Sequence, residues 1–416
     1  MTPRAADGSE DTRAAAAPQG DGGPAWRMLA LLAAAELLGM SPWFTGSAAA
    51  PELVARWALT EAQVGGLSTA VQLGFVAGTA VAALLNLADV LPARRFFAWA
   101  AVAAALANGA LLRAPDYRTA LLTRALTGLC LAGVYPPAMK MAATWFRARR
   151  GLAVGAVVGA LTIGKAAPYL WRAIPGAGLA TIVAASSWAA VVAALAIALA
   201  WHDGPFAFPS RRFAWGRVGE VVRSPRWRLA TGGYLGHMFE LYAYWTWIPA
   251  FVAASAVAWR GDPAAAHAPW VGVLAFGTIA VGGLGCLWGG LESDKLGRER
   301  LVMLAMAASG ACALCIGLAF GRSPLLLAPL ALAWGFFVIA DSAQFSVLVT
   351  ESVEPHAVGT ALTVQVCLGF LLTTLTIQAI PPLVAIAGWR TAFALLAVGP
   401  LAGIASIRRL QARRAA

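Results

Sequence analysis

Apolar runs of roughly 20 residues recur along this chain and are separated by short polar stretches. An α-helix needs a run of this length to cross a lipid bilayer, whereas the strands of a membrane barrel would alternate with a period of two, which is absent here. With 60% hydrophobic and 12% charged residues, the composition agrees with a membrane protein and not with a water-soluble globule. We therefore predict an all-α integral membrane protein with twelve transmembrane helices. The predicted spans lie near residues 28–50, 63–88, 96–112, 117–141, 151–171, 178–201, 229–254, 269–291, 301–320, 324–349, 358–380 and 390–407.

A basic stretch that contains Pro205 and Pro209 divides these runs into two groups of six. The residues before the first run are rich in Ala, Gly and Pro and show no apolar period, which predicts a disordered tail. The predicted organisation is a cytoplasmic tail at 1–25, a six-helix bundle at 26–201, a cytoplasmic linker at 202–228, a second six-helix bundle at 229–408 and a cytoplasmic tail at 409–416.

The formal net charge of +12 comes from short basic clusters between the apolar runs. In a membrane protein such clusters set topology and contact anionic lipid, so we expect no nucleic-acid partner. If the N-terminus is inside, most of the 31 lysines and arginines lie on the cytoplasmic side. This bias predicts a multi-pass protein of the cytoplasmic (inner) membrane with both termini in the cytoplasm. We expect a monomer.

The stretch Gly290–Arg298 is a charged segment between two apolar runs, and its layout recurs in the first half of the chain. Asp294 precedes Arg298 in one copy, and Asp89 precedes Arg94 and Arg95 in the other. Ion pairs at these helix ends that break and re-form as two halves rock would favour one state over another, which predicts a gating role for all five residues. The alternative is a solvated turn whose charges only set topology.

A second feature repeats at almost the same offset. Glu36 is followed by Leu37 and then Trp43, and Glu240 is followed by Leu241 and then Trp247. Two independent features at one offset predict that the chain is built from two copies of a six-helix unit. Parallel six-helix repeats are one plan of secondary transporters, in which the substrate site lies between the halves near the membrane midplane.

With these features in place, the chain resembles the major facilitator superfamily. The segment Gly290–Arg300 is similar to the loop signature of that family, the segment around Asp89 is a degenerate copy, and Leu122–Gly128 resembles its fourth-helix signature. The resemblance covers residues 26–410 and implies alternating-access transport. It also implies a proton-transfer or structural role for Arg124. We keep Arg124 as a candidate substrate-binding residue as well.

Within the superfamily, Trp145 and Phe146 before the segment Arg150–Gly155 are similar to bacterial porters of small anions, including the nitrate/nitrite and cyanate branches. The second span offers Gln72 and no arginine, and the eighth span has no basic residue, so nitrate itself is disfavoured. At the position where the fifth-helix motif of the drug antiporters has a proline, this chain has Ala160, which makes a drug antiporter less favoured.

Lys165 lies near the middle of the fifth span, between small residues and Pro168. A charge at membrane depth is expensive and is therefore a functional candidate. Small neighbours and a following proline give the ammonium group room to face a cavity. We predict that Lys165 binds an anion; the alternative is permanent pairing with a buried carboxylate.

The seventh span places four polar or amphipathic side chains on one helical stripe, namely His237, Glu240, Tyr244 and Trp247. Exposing such a stripe to lipid costs free energy, so we expect it to line the central pathway, with Tyr244 and Trp247 as substrate contacts. Burial favours a protonated carboxylate, so Glu240 is a candidate proton carrier and His237 its relay. The alternative is a stripe that only packs against the eleventh span.

Further candidates are scattered over four spans. Glu36 is a second candidate for proton coupling, or else a structural acid paired with Arg27 or Lys140. Asp341 is a natural partner for a lysine or a further proton carrier, and it shares a helix face with Gln344. Candidate substrate contacts are Gln344, Gln72 and Trp43.

The sequence contains no Gly-x-Ser-x-Gly elbow, no His-Glu-x-x-His pair and no Walker loop, and its His and Cys residues are too scattered for a metal site. We therefore predict no enzyme, no cofactor and no metal. The predicted function is proton-coupled transport of a small organic carboxylate or inorganic anion, with protons as co-substrate. Efflux of drugs or of cationic or zwitterionic metabolites is one alternative, and a membrane sensor without transport is another.

Overall fold

The computed structural model describes residues 22–146, 149–206 and 213–415, apart from the side chains of residues 88, 89, 150 and 415. Within these ranges the secondary structure is helical, without a strand. Almost all of the predicted tail at 1–25 and part of the predicted linker at 202–228 lie outside the described residues.

Twelve helical segments in the described residues form the transmembrane architecture, and six of them precede the linker. They are α1 (Gly23–Met40), α2 (Glu61–Leu84), α3 (Ala93–Gly109), α4 (Tyr117–Leu131 and Tyr135–Ala143), α5 (Arg150–Arg172), α6 (Leu179–Ala200), α7 (Pro225–Arg260), α8 (Pro269–Ala280 and Gly282–Leu296), α9 (Arg298–Cys315), α10 (Pro324–Ala340 and Ser342–Thr350), α11 (Val358–Ala387) and α12 (Val398–Ala415).

Ten of these segments are long and apolar enough to cross a membrane by length and composition alone. The two exceptions have identifiable causes. Arg27 and Glu36 lower the mean hydropathy of α1, and the first part of α4 is only 15 residues long because the helix is interrupted before Tyr135. The twelve-helix fold predicted from the apolar runs is confirmed.

Several segments are interrupted at membrane depth. The helix of α1 ends at Met40, just before Pro42, and the chain continues through the short helices Thr45–Ala48 and Ala50–Trp57. The helix of α10 is interrupted at Asp341. Interruptions free backbone groups from the helical ladder, and inside a membrane these groups need other partners.

The second and fourth helices of each half touch through glycine. A Cβ at Gly74 of α2 would lie 1.9 Å from the carbonyl oxygen of Ala125 in α4, so only glycine permits this approach. The same contact recurs in the second half, where a Cβ at Gly285 of α8 would lie 2.2 Å from the carbonyl oxygen of Phe336 in α10. The sequence separation between Gly74 and Gly285 equals that between Ala125 and Phe336, as expected of two copies of one unit.

We call the membrane face at which α1 begins and α12 ends the terminal face, and the other the opposite face. At the opposite face the two halves are in contact. Gln378 of α11 donates from Nε2 to Oγ1 of Thr69 in α2 at 3.1 Å, and a Cβ at Gly65 would lie 2.9 Å from the ring of Trp247. Deeper in the membrane, α5 and α8 approach through Gly159 and Gly283.

The two described parts of the linker pack on different halves. Residues 202–206 contact the first half, where the backbone N–H of Gly204 donates to Thr144. In the other part, the short helix Val218–Arg223 carries Glu220, which lies 3.1 Å from Nε2 of His356, and the backbone N–H of Ala214 donates to Thr360. The contact with His356 lowers the pKa of Glu220 below its ordinary value. Residues 213–228 therefore lie against α11 and its preceding loop.

Candidate functional site

Lys165 lies in the middle of α5 and is 2% exposed. Its Nζ donates a hydrogen bond of 2.6 Å to the hydroxyl of Tyr242 on α7. The same Nζ lies 3.8 Å from the ring centroid of Trp43 and 5.2 Å from that of Trp245. Aromatic faces stabilise a cation through the ring quadrupole, so the ammonium group is held by rings of both halves.

A continuous set of rings extends from these contacts. Phe75 of α2 lies 4.6 Å from Phe370 of α11, centroid to centroid, and Trp43 lies 5.8 Å from Tyr242. These contacts cross from the first half to the second. We call the region formed by Lys165 and the rings of Trp43, Phe75, Tyr242, Trp245 and Phe370 the Lys165 chamber.

Trp43 reaches the chamber because α1 is interrupted beside it, and Arg124 of α4 stabilises this interruption. Arg124 is fully buried. It donates from Nη2 to the carbonyl oxygens of Pro42 and Trp43 and from Nη1 to Oδ1 of Asn108, each at 2.7 Å. Its donors therefore satisfy carbonyls that the broken helix leaves free, and the predicted substrate residue Arg124 lies behind the wall of the chamber.

Two polar side chains next to the chamber have no hydrogen-bond partner among the described residues. Both carboxylate oxygens of Glu36 on α1 are buried without one, and so is the side-chain amide of Gln72 on α2. Helices α1 and α5 cross beside Glu36 and Lys165, because a Cβ at Gly164 would lie 2.1 Å from the carbonyl oxygen of Leu37. The structure thus brings Glu36 close to Lys165, and neither Arg27 nor Lys140, the partners considered from the sequence, binds its carboxylate oxygens.

The predicted stripe on α7 has its contacts mainly inside the second half. Glu240 accepts from Ser309 of α9 at 2.8 Å and from Nε1 of Trp334 of α10 at 2.7 Å. Tyr244 donates to the carbonyl oxygen of Ala331 at 3.0 Å. Trp247 donates to the carbonyl oxygen of Ile377 at 2.8 Å.

The face of α7 that reaches the chamber is offset from the predicted stripe and carries Tyr242 and Trp245. Sequence reasoning missed both residues, together with Phe75 and Phe370. The spacing of three between Tyr242 and Trp245 is a helical signal. That signal does not show which face meets the other half, because α7 is buried on nearly all sides.

His237 of α7 and Asp341 of α10 form a buried polar pair. Nδ1 of His237 lies 2.8 Å from Oδ1 of Asp341, at the interruption of α10. Gln344 donates to the carbonyl oxygen of Gly289 in α8 at 3.2 Å. Among the described residues, no three His, Cys, Asp or Glu side chains come together as metal ligands.

Two of the predicted gating residues, Arg298 and Arg94, bind ends of helices within their own half. Arg298 lies 2.9 Å from Glu351 at the end of α10, and its distance to Asp294 is 3.9 Å. Arg94 donates to the carbonyl oxygen of Trp201 at the end of α6. Arg95 is exposed, and the side chain of Asp89 lies outside the described residues.

Two six-helix halves that meet around the buried Lys165 and its aromatic neighbours define an integral membrane protein built for secondary transport by alternating access. The chain matches the family model described as Major Facilitator Superfamily over residues 31–377, and it belongs to that superfamily. No curated protein matches the chain.

Solved structures of similar fold are described as those of a bacterial homologue of the human lysosomal transporter Spinster. One, in an inward-facing and occupied conformation, is 14% identical, covers 93% of this chain and 96% of its own, and has a TM-score of 0.67. Another, inward-facing and unoccupied, is 15% identical, covers 94% and 96%, and has a TM-score of 0.64. At this identity the likeness shows the fold alone.

Proposed function

We propose that this protein is a proton-coupled secondary transporter that carries a small organic anion with a carboxylate group. The observation that carries the proposal is the position of Lys165. Its ammonium group is buried between the two halves and contacts a hydroxyl and ring faces, while no carboxylate of the described residues forms an ion pair with it. A buried ammonium group held in this way can donate a charge-assisted hydrogen bond to a substrate carboxylate.

Contacts of Lys165 with both halves connect binding to alternating access. Lys165 lies in the first half, and Tyr242 and Trp245 lie in the second. An anion bound to Lys165 changes the contacts that the ammonium group makes across this interface, so it favours one arrangement of the halves over the other. The contact between Thr69 and Gln378 supports a state that is closed at the opposite face.

Glu36 is the proposed proton carrier. Its carboxylate has no hydrogen-bond donor in the described structure and lies where α1 crosses α5 beside Lys165, whereas Glu240 is held by Ser309 and Trp334. Protonation of Glu36 removes a negative charge from the surroundings of Lys165, which favours arrival of an anion there. Proton and anion would then travel together, with no net charge for a monoanion.

The proposal extends to the cytoplasmic (inner) membrane, with the terminal face in the cytoplasm, as the distribution of basic residues predicts. The resemblance of Trp145 and Phe146 to small-anion porters supports an anionic substrate. A zwitterionic metabolite is a second candidate, because the two buried oxygens of Glu36 could accept hydrogen bonds from a substrate ammonium group.

Transport into proteoliposomes tests the proposal. Replacing Lys165 by Met keeps much of the side-chain volume and removes the charge, so the affinity for carboxylates should fall about tenfold to hundredfold, which corresponds to a lost charge-assisted hydrogen bond of about 1.5–3 kcal/mol. The same substitution at exposed Lys295 is the matched control and should leave uptake unchanged. Unaltered carboxylate uptake in Lys165→Met would refute the anion-binding role, and uptake of zwitterions in preference to simple carboxylates would support the second candidate.

A further inference from the structure

We infer that the substrate is a monocarboxylate with a flat, aromatic body. This inference rests on the proposed function and specifies the chemistry that the Lys165 chamber accepts. It depends on the walls of the chamber, on its ammonium group and on buried N–H groups that have no acceptor.

The walls are aromatic on both sides of the interface between the halves. Trp43 and Phe75 contribute from the first half, and Tyr242, Trp245 and Phe370 contribute from the second. Ring pairs prefer offset or edge-to-face contacts with centroids 4.5–7 Å apart, and the pairs that cross the interface lie within this range. A flat aromatic body between the halves can therefore replace ring contacts that are lost as the halves separate, whereas a small polar ion cannot.

The charge of the chamber favours one carboxylate and disfavours two. Lys165 provides the ammonium group of the chamber. Both Nη groups of Arg124 are directed to Asn108 and to the carbonyls of the interrupted α1, and only its buried Nε lacks an acceptor. Glu36 lies on α1 where this helix crosses α5 beside Lys165, since a Cβ at Gly164 would lie 2.1 Å from the carbonyl oxygen of Leu37. A second carboxylate on the substrate would find no second ammonium group there and would be repelled by Glu36 whenever this is ionised.

Buried donors next to Lys165 indicate where carboxylate oxygens bind. The indole Nε1 groups of Trp43 and Trp245 are buried without an acceptor in the described structure. A lysine ammonium group has three N–H donors, and its one hydrogen bond within the protein is to Tyr242. A carboxylate accepts up to four hydrogen bonds, so it matches this set of donors while its ring lies among the rings of the walls.

The experiment compares small acids that differ in one property at a time. The purified full-length protein is titrated with benzoate, with cyclohexanecarboxylate (same charge and ring size, without a flat ring), with phthalate (a second carboxylate on a flat ring) and with acetate, at constant ionic strength. Ligand-induced shifts of the unfolding temperature give relative affinities. Benzylammonium is the cationic probe.

Benzoate should bind at least tenfold more tightly than cyclohexanecarboxylate, phthalate or acetate. Trp43→Leu should reduce the preference for benzoate over cyclohexanecarboxylate to less than threefold, while Trp188→Leu, at an exposed tryptophan of α6, should preserve it. If Trp43→Leu does not fold, Phe370→Leu serves as a second variant at the edge of the chamber.

The outcomes separate this inference from the function on which it rests. Equal or tighter binding of cyclohexanecarboxylate, acetate or phthalate, lost in Lys165→Met, overturns the aromatic monocarboxylate and leaves an anion transporter. Binding of benzylammonium alone, lost in Glu36→Gln, overturns both. A preference for benzoate that disappears in Lys165→Met and weakens in Trp43→Leu supports both.

Discussion

Lys165 and Tyr242 are joined across the two halves of the molecule by a hydrogen bond of 2.6 Å, and both residues are buried. The bond joins the only ammonium group of the chamber to α7 of the second half. Because alternating access moves the halves relative to each other, a contact at this place is one that transport must break and re-form.

Removal of the Tyr242 hydroxyl should therefore loosen the closed interface, while the aromatic ring at this position is kept. We expect Tyr242→Phe to weaken the contact between the halves by about 1 kcal/mol, which is about a fivefold change in the equilibrium. Thr69 and Gln378 are in contact at the opposite face. Cross-linking of cysteines introduced at these two positions therefore reports how closely the halves approach. In a background without the natural cysteines, their cross-linking should become slower in Tyr242→Phe.

Tyr244→Phe is the matched control, since the hydroxyl of Tyr244 binds carbonyl oxygens within the second half. Cross-linking should be unchanged in this variant. An equal slowing in both variants would contradict a specific role of the bond between Lys165 and Tyr242.

Arg124 should be required for the fold rather than for the charge of the site. Arg124→Lys keeps the positive charge, but a lysine cannot reproduce the planar fork that binds Asn108, Pro42 and Trp43. At least one buried acceptor then loses its donor, and we expect a loss of about 1–3 kcal/mol in the free energy of unfolding. Thermal unfolding without ligand measures it; an unchanged unfolding temperature together with weaker anion binding would instead point to direct contact with substrate.

Gly74 should tolerate no side chain, because its Cβ would lie 1.9 Å from the carbonyl oxygen of Ala125. Gly74→Ala forces α2 and α4 apart, with an expected loss of about 1–3 kcal/mol from overpacking. Gly109 at the end of α3 is the control, because its added Cβ would meet only Oγ of Ser187, at 3.7 Å. Gly109→Ala should unfold at nearly the same temperature as the unchanged protein, and equal destabilisation of the two variants would contradict the close crossing.

Much of this fold follows from the sequence because bilayer thickness sets the length of each apolar run. The position of Lys165 also follows, since a lone charge in such a run is rare. The role of Arg124 does not, because its acceptors are carbonyls freed by the interruption of α1 at Pro42, far away in the chain. The aromatic walls were missed for a related reason: in a helix as buried as α7, only packing decides whether Glu240 or Tyr242 faces the other half.

Replacement of Glu36 and of Glu240 by glutamine should affect proton-driven uptake differently. In Glu240→Gln the amide can still accept from Trp334, and it can donate to Ser309, whose hydroxyl also lies 3.2 Å from the carbonyl oxygen of Met306. We expect this variant to keep proton-driven uptake. Glu36→Gln removes the proposed proton site, so proton-driven accumulation should be lost while exchange of carboxylate for carboxylate continues. Loss of driven uptake in Glu240→Gln, with Glu36→Gln active, would reverse the assignment.

Glu351 connects three helices of the second half at the terminal face. It lies 2.9 Å from Arg298 and 3.2 Å from Arg414 at the end of α12. All three side chains are 30–37% exposed, and exposed ion pairs contribute roughly 0–1 kcal/mol each. Glu351→Gln should therefore lower the unfolding temperature slightly at low salt and hardly at high salt, because salt screens these charges.

Asp294 provides the comparison within the same cluster. Its side chain is 78% exposed and lies 3.9 Å from Arg298, so Asp294→Asn should change stability less than Glu351→Gln. If the cluster only stabilises the second half, neither variant should alter substrate affinity or turnover. Slower turnover at unchanged affinity in Asp294→Asn would show that the loop charges take part in gating, because such an effect requires Asp294 to stabilise one transport state more than the other.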